Sequence, residues 1–315
     1  MIKVFKRQQG MSLVELMVAM LISLFLTAGL FTMFSMSSSN VTTTSQFNQL
    51  QENGRIALAI LERDLSQLGF MGDTTGMITA ALTTISSTVV TNDCVGAGLN
   101  NASFPNTQPA EFRYLWGYEQ DVSPQSLACI SPKSKTDVIQ IKRLIGPPAT
   151  AFITTRYYVA STTQKIEYFD GSAAAPGLAN SRNWEYQHHV YFIRDDGDIP
   201  VLRRRTLSIN NGMNNEEQLV EGIENMRILY GVDSNADGTA DSYMPVENVT
   251  SLTWDNEKRI VALKVFLLVR SSEKDRSYTN DTTYQLGDKK IGPLNDNYRR
   301  KVVSTTIVLE NRILN

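Results

Sequence analysis

Residues 11–36 read MSLVELMVAMLISLFLTAGLFTMFSM, an apolar run of 26 residues whose one charge is Glu15. A helix rises about 1.5 Å per residue, so the run reaches about 39 Å and exceeds the roughly 30 Å hydrocarbon core of a bilayer. Working outward, Lys3, Lys6 and Arg7 precede the run, and no Lys or Arg follows it until Arg55. The positive-inside rule therefore expects a single pass with the N-terminus in the cytoplasm and the bulk of the chain outside. The carboxylate of Glu15 needs a reason, because in the middle of an apolar helix it costs about 2.5 to 3.5 kcal/mol on insertion scales unless it finds a partner. One is that it snorkels back to the headgroups, only a turn from the helix start.

A secretory signal peptide also opens with basic residues and an apolar run, but it is cut after the run, and 35–40 is only a passable site of that kind. The more specific feature lies before the run: KRQQG at 6–10, then MSLVE at 11–15. This resembles the processing site of type IV prepilins, in which a membrane peptidase cuts after the glycine and the new N-terminus is methylated. The resemblance implies cleavage after Gly10 and N-methylation of Met11, where the family usually has Phe. It also implies a filament-assembly role for Glu15, which in pilins is held to neutralise the free amine of a neighbouring subunit. On this reading 1–10 is a leader and 11–36 a transmembrane helix that later enters the filament core.

Downstream, Ala57, Ile60, Leu61, Leu65 and Leu68 fall at helical spacings of three and four, with Glu52, Arg55, Glu62 and Arg63 elsewhere on the surface. The spacing predicts an amphipathic continuation of the helix over 37–70, weakened by about 1 kcal/mol at Gly54 and stopped at Gly69. LQENGRIALAILERDLSQLGFMGD at 50–73 resembles the second half of the long helix in the PilW family of minor pilins. So do LVEGIENMRILYGVDSNADG at 219–238, RIVALKVFLLVRS at 259–271 and YRRKVVSTTIVLENR at 298–312.

β-Branched and aromatic runs bounded by turn residues predict strands at 137–144, 156–160, 165–169, 190–194, 201–207, 226–232, 260–269 and 302–309. The expected fold class is α+β and pilin-like, a long N-terminal helix packed on a large antiparallel β-rich head over 71–315. Within the head, 74–135 is Asn/Ser/Gly-rich and expected to be loop with little regular structure.

Composition narrows the function classes. The chain is 42% hydrophobic and 20% charged, as folded proteins are, with a formal charge of −2. Three of its basic residues lie in the leader and leave the remainder acidic, so no field to hold nucleic acid exists. The clusters Arg203–Arg205 and Arg299–Lys301 read as solvated strand ends. Cys94 and Cys129 are too few and too far apart for a zinc ribbon or a redox pair; in an exported head they are expected to form a disulfide, worth roughly 3 to 4 kcal/mol, rather than remain buried thiols. His188 and His189 are adjacent and so point to opposite faces of a strand, and no nucleophile, zinc or nucleotide motif occurs, so no enzymatic activity is expected. Trp116, Trp184 and Trp254 could form a binding platform or be core anchors. RDDGD at 194–198 reads as a turn.

One loop has a ligand-like spacing. Asp233, Asn235, Asp237, Thr239 and Asp241 stand at positions 1, 3, 5, 7 and 9 of an EF-hand-like series with Gly238 at 6, but Met244 replaces the closing Glu. Calcium binding is expected there, with an ion-free Asx turn as the alternative.

The PilW resemblance implies a minor pilin that primes or caps type IV pilus assembly within a tip complex. Its implied partners are other minor pilins, the major pilin, the prepilin peptidase, the inner membrane and a tip adhesin. A type II secretion pseudopilin and a tip adhesin or binding module are the alternatives.

Overall fold

The computed structural model describes residues 10–75, 82–96, 101–105, 112–255 and 259–313. Lys3, Lys6 and Arg7 of the leader lie outside the described residues, as do 76–81, 97–100 and 106–111 of the expected loop region. The chain divides into two compact units, Met1–Asn48 and Gln49–Asn315.

Helix α1 runs from Leu13 to Leu65. Its stretch Leu13–Ser37 has a mean hydropathy of 2.2 and buries none of its residues. The hydroxyls inside this stretch are satisfied by the helix itself: Ser23, Thr27 and Thr32 donate to carbonyls three or four residues back.

In the second unit the helix turns one face inward. Leu50, Gly54, Ala57, Leu61, Asp64, Leu65 and Leu68 are buried while Glu52, Arg55, Glu62 and Arg63 stay exposed, the stripe that the spacing predicts. Gly69 takes φ +85°, a left-handed conformation that ends the helical turn.

Among the described residues fourteen strands follow. The larger sheet contains β1 (Thr83–Ile85), β2 (Leu115–Glu119), β3 (Asp137–Ile145), β4 (Tyr157–Ser161), β5 (Ile166–Asp170), β6 (Arg182–Asp196), β7 (Ile199–Ser208) and β8 (Gly212–Glu221). Its order is β1-β5-β4-β6-β3-β2, with β7 joined to β6 and β8 to β7. All its pairings are antiparallel except β1 with β5. The second sheet is β10 (Ser242–Pro245), β9 (Ile223–Val232), β11 (Ile260–Arg270) and β14 (Arg300–Val308), in that order and antiparallel. A small hairpin, β12 (Tyr284–Leu286) and β13 (Lys289–Ile291), stands apart. The architecture is α+β with an antiparallel-rich head.

All eight expected strands exist, seven within a few residues of their expected bounds, while the one expected at 190–194 is longer and begins at Arg182. The structure adds β2 and β8 to the central layers, and corrects two readings. The segment expected to be mostly loop contains β2, every residue of which is buried, and supplies Phe104, Phe112, Tyr114, Leu127 and Ile130 to the core. The basic clusters are not solvated strand ends. Arg203, Arg204 and Arg205 lie inside β7 and reach across to Glu216 and Glu217 of β8. Those cross-strand pairs let the polar sequence GMNNEEQLVE form a strand that hydrophobic alternation does not announce. Arg300, its side chain 1% exposed, is held by Glu224 and Asp296, and Arg299 by Asp275.

A buried guanidinium joins the two sheets. Arg227 of β9 pairs with Glu119 of β2 and Asp137 of β3 at 2.8 and 3.1 Å, and with Glu247 and Asp288 at 3.0 and 2.7 Å. Burial pushes the Asp137 carboxyl up to about 7, with the Arg227 charge opposing it.

The helix crosses the second sheet closely because Gly54 lacks a side chain. A Cβ there would stand 3.0 Å from Val303 Cγ2 of β14 and 3.2 Å from Val269 Cγ2 of β11. Glycine thus gives up about 1 kcal/mol of helix propensity for a contact no larger residue permits. Gly54→Leu should lower the stability of the head by about 1 to 3 kcal/mol in denaturant titration, as overpacking does. Gly29→Leu, where nothing lies within 4 Å, should leave it unchanged.

Candidate functional site

The N-terminal end of α1 carries the processing and assembly residues. Gly10 is exposed, with nothing within 4 Å of where a Cβ would be, and Met11 is 68% exposed. Ser12 caps the helix: its Oγ accepts the Val14 N–H at 3.3 Å, and the Ser12 N–H donates to Glu15 Oε2 at 2.9 Å. This is a capping box, two side chains reciprocally satisfying the unpaired N–H groups of the first turn. Glu15 thus has a partner within its own chain, a role the sequence signals as S-x-x-E at 12–15.

In the head, the two faces of the larger sheet carry two separate polar sites. On the face toward the helix, Asp64 is 5% exposed. Its Oδ1 accepts the Arg143 Nε–H at 2.9 Å, and its Oδ2 meets His189 Nδ1 at 2.6 Å and the Tyr191 hydroxyl. Burial works to raise the Asp64 carboxyl, but the His189 hydrogen bond and the charges around it outweigh burial and hold it well below the usual range. The site opens into a cavity of about 720 Å³ lined in part by Arg63, Asp64, Arg143, His189, Arg204 and Glu217. Arg204 is itself tied to Glu217 at 2.7 Å.

On the opposite face, a chain of buried groups runs from Asp93 to Cys94. The Ser103 hydroxyl donates to Asp93 Oδ1 at 2.7 Å and lies 2.7 Å from His188 Nδ1. A hydroxyl has one proton, so toward His188 it accepts. Gln140 Nε2 lies 2.8 Å from His188 Nε2 and donates to the Cys94 carbonyl at 3.0 Å. The imidazole is therefore neutral with its proton on Nδ1, and burial holds its pKa well below the ordinary histidine value. Ser, His and Asp meet here, but serine sits between the other two, with Ser103 and His188 buried and Asp93 half-buried, so the order is wrong for activating a nucleophile. Beside this chain, Lys142 donates to Asn101 and to the Arg113 carbonyl. The cover over this face, within 92–130, is closed by a disulfide between Cys94 and Cys129, whose Cα atoms are 5.1 Å apart.

Sequence reasoning separated His188 and His189 onto opposite faces, and they lie so. It did not find Asp64, Asn101 or Lys142, whose partners are far away in the chain. Trp116, Trp184 and Trp254 are 4, 5 and 8% exposed and are core anchors, not a surface platform. Asp195–Asp198 form the β6–β7 turn with Gly197 at φ +60°, and Asp195 and Asp196 are tied to Lys133 and Arg203.

In the acidic loop, the Asp233 carboxylate accepts the N–H groups of Asn235, Ala236 and Gly238 at 3.1, 2.6 and 2.8 Å. Asp237 accepts the Thr239 N–H at 2.8 Å, and Asp241 the Ser234 N–H at 2.7 Å. These bonds fold the loop on itself between β9 and β10. Among the described residues, no group of three or more His, Cys, Asp or Glu side chains is placed to hold a metal ion.

An uncovered apolar helix of membrane length, entered through a capped start and followed by a large β-rich head, fits a membrane-anchored pilin. Residues 5–31 match the prokaryotic N-terminal methylation motif, and residues 190–311 match the type IV pilus-assembly protein W family, PilW. Over these two stretches the chain resembles type IV minor pilins of the PilW family. No curated protein and no solved structure matches it.

The depressed Asp64 pKa makes a stability prediction. The folded state holds the Asp64 proton less tightly than the unfolded state, so its stabilisation is complete above the ordinary aspartate value of about 3.9 and fades as pH falls through the lower folded value. Asp64→Asn should lower the melting temperature at neutral pH, by the equivalent of about 3 to 5 kcal/mol for a broken buried pair. The gap to the wild type should narrow below about pH 4. A gap independent of pH contradicts the assignment.

Proposed function

We propose that this minor pilin primes or caps type IV pilus assembly, as part of a small complex with other minor pilins and the major pilin. The observation that carries the reading is the Leu13–Ser37 surface, apolar but for Glu15 and a few Ser and Thr, and with no residue buried. Such a surface is stable only against lipid or against other apolar helices. Before assembly it lies in the inner membrane with the N-terminus cytoplasmic, the side set by Lys3, Lys6 and Arg7. Prepilin peptidase removes residues 1–10 and Met11 is methylated. In the filament Glu15 exchanges its Ser12 N–H for the free amine of a neighbouring subunit. The role is structural, not enzymatic.

Deleting the gene in a strain that cannot retract pili should leave few surface pili, and normal numbers would oppose a priming role. Complementation separates the two N-terminal functions. Gly10→Val should accumulate uncut precursor by mass. Glu15→Ala should be cut and inserted normally yet be depleted from sheared pili, since it removes a partner and no apolar area. Equal incorporation would exclude the pairing role.

We also propose that the loop Asp233–Asp241 takes calcium through Asp233, Asn235, Asp237, the Thr239 carbonyl and Asp241. The support is the ligand spacing and three carboxylates in one short loop, which repel one another without a cation. Calcium should raise the melting temperature of the chain relative to EGTA by mass action. Identical melting in both leaves only the hydrogen-bonded turn.

A further inference from the structure

Lys142 lies in the middle of β3 with its side chain fully enclosed between the sheet and the cover, 0% exposed. Its Nζ donates to Asn101 Oδ1 at 2.8 Å and to the Arg113 carbonyl at 2.9 Å, and stands 4.7 Å from the centre of the Phe112 ring. Among the described residues, no carboxylate forms an ion pair with it; both acceptors are neutral. An ammonium ion left in such a place without an anion costs several kcal/mol. The amine therefore tends toward its free base, and burial brings its pKa down to about 7 against the opposing charge of Asp93. A neutral primary amine is a nucleophile.

Its neighbour is an electrophile of matching chemistry. The Asn101 carboxamide is also 0% exposed, and its Nδ2 donates to the Gly96 carbonyl at 3.3 Å. Amine and carboxamide are held in contact, in a water-free setting, by elements that the fold fixes independently: Lys142 by β-pairing to His188 in β6, Asn101 by the cover. Such fixed proximity is worth effective molarities of about 10⁵ to 10⁸ M in intramolecular reactions. Asp93, the carboxylate whose charge acts on Lys142, is anchored two residues along the same cover segment through the N–H and hydroxyl of Ser103, at 2.9 and 2.7 Å.

We propose that Lys142 and Asn101 become joined by an intramolecular isopeptide bond. The Nζ lone pair attacks Cγ of Asn101, the Nζ–Cγ bond forms, and the Cγ–Nδ2 bond breaks. One Nζ proton passes to Nδ2, and Nδ2 leaves as ammonia. The amide formed needs no oxidant and no cofactor. It bolts the cover to a central strand of the sheet at a point distinct from the Cys94–Cys129 disulfide, and reductants do not open it.

The test is a peptide map of the mature full-length chain, purified from membranes in detergent, reduced, and digested with trypsin. The peptide carrying Asn101 should be recovered joined to one carrying an uncut Lys142, lighter than the two together by one ammonia. Lys142→Met should return the Asn101 peptide to its own mass and lower the melting temperature. Should that variant not fold, the wild-type map alone decides. Trypsin cleavage after Lys142 in the wild type, with the Asn101 peptide at its unmodified mass, overturns the proposal.

Discussion

The head is organised by one constraint: the central strands β3 and β4 of its larger sheet have no face that water can wet. Eight of the nine residues of β3 are buried and so is every residue of β4, so both surfaces of the sheet must be covered by protein. The amphipathic end of α1 covers one and the disulfide-closed segment covers the other. Both covers are held by ionisable groups removed from water, which demand partners more strictly than apolar side chains do. Asp64 reaches from the helix to Arg143, His189 and Tyr191; Lys142 and His188 reach from the sheet to Asn101 and Ser103.

The part of the chain that matches PilW begins in the middle of β6, yet its groups are keyed to residues before that point. Arg227, within the match, closes on Glu119 and Asp137, which precede it. A region outside the recognised family is thus attached through an ion-pair cluster at the junction of the two sheets. Family-specific and chain-specific sequence share one core.

Much of this was legible in the sequence where periodicity carries the signal. The apolar segment, the amphipathic stripe with Leu61 and Leu65, and eight strands announce themselves by spacing alone. The strand β8 does not, because its partner arginines on β7 replace the apolar alternation that marks a strand. The cover does not either: Phe104, Phe112 and Leu127 enter the core singly from irregular backbone, and no period connects them. The buried polar sites are the least readable of all. Asp64 and Arg143 are 79 residues apart and Lys142 and Asn101 are 41 apart, and a lone charged residue in a sequence looks like surface until the fold encloses it.

A cover fastened this way has an unusual granularity. A loop held by scattered apolar contacts can fray from one end, each lifted residue costing a little. Here, lifting Cys94, Asn101 or Ser103 strands a histidine, a lysine, a glutamine or an aspartate without its partner, and each such loss is about 1 to 3 kcal/mol with nothing to offset it until water floods the face. Opening is therefore a single sub-global event, not a series of small ones. At these anchor residues no partly raised stretch is then offered to a protease, because the opening that frees one of them frees them all.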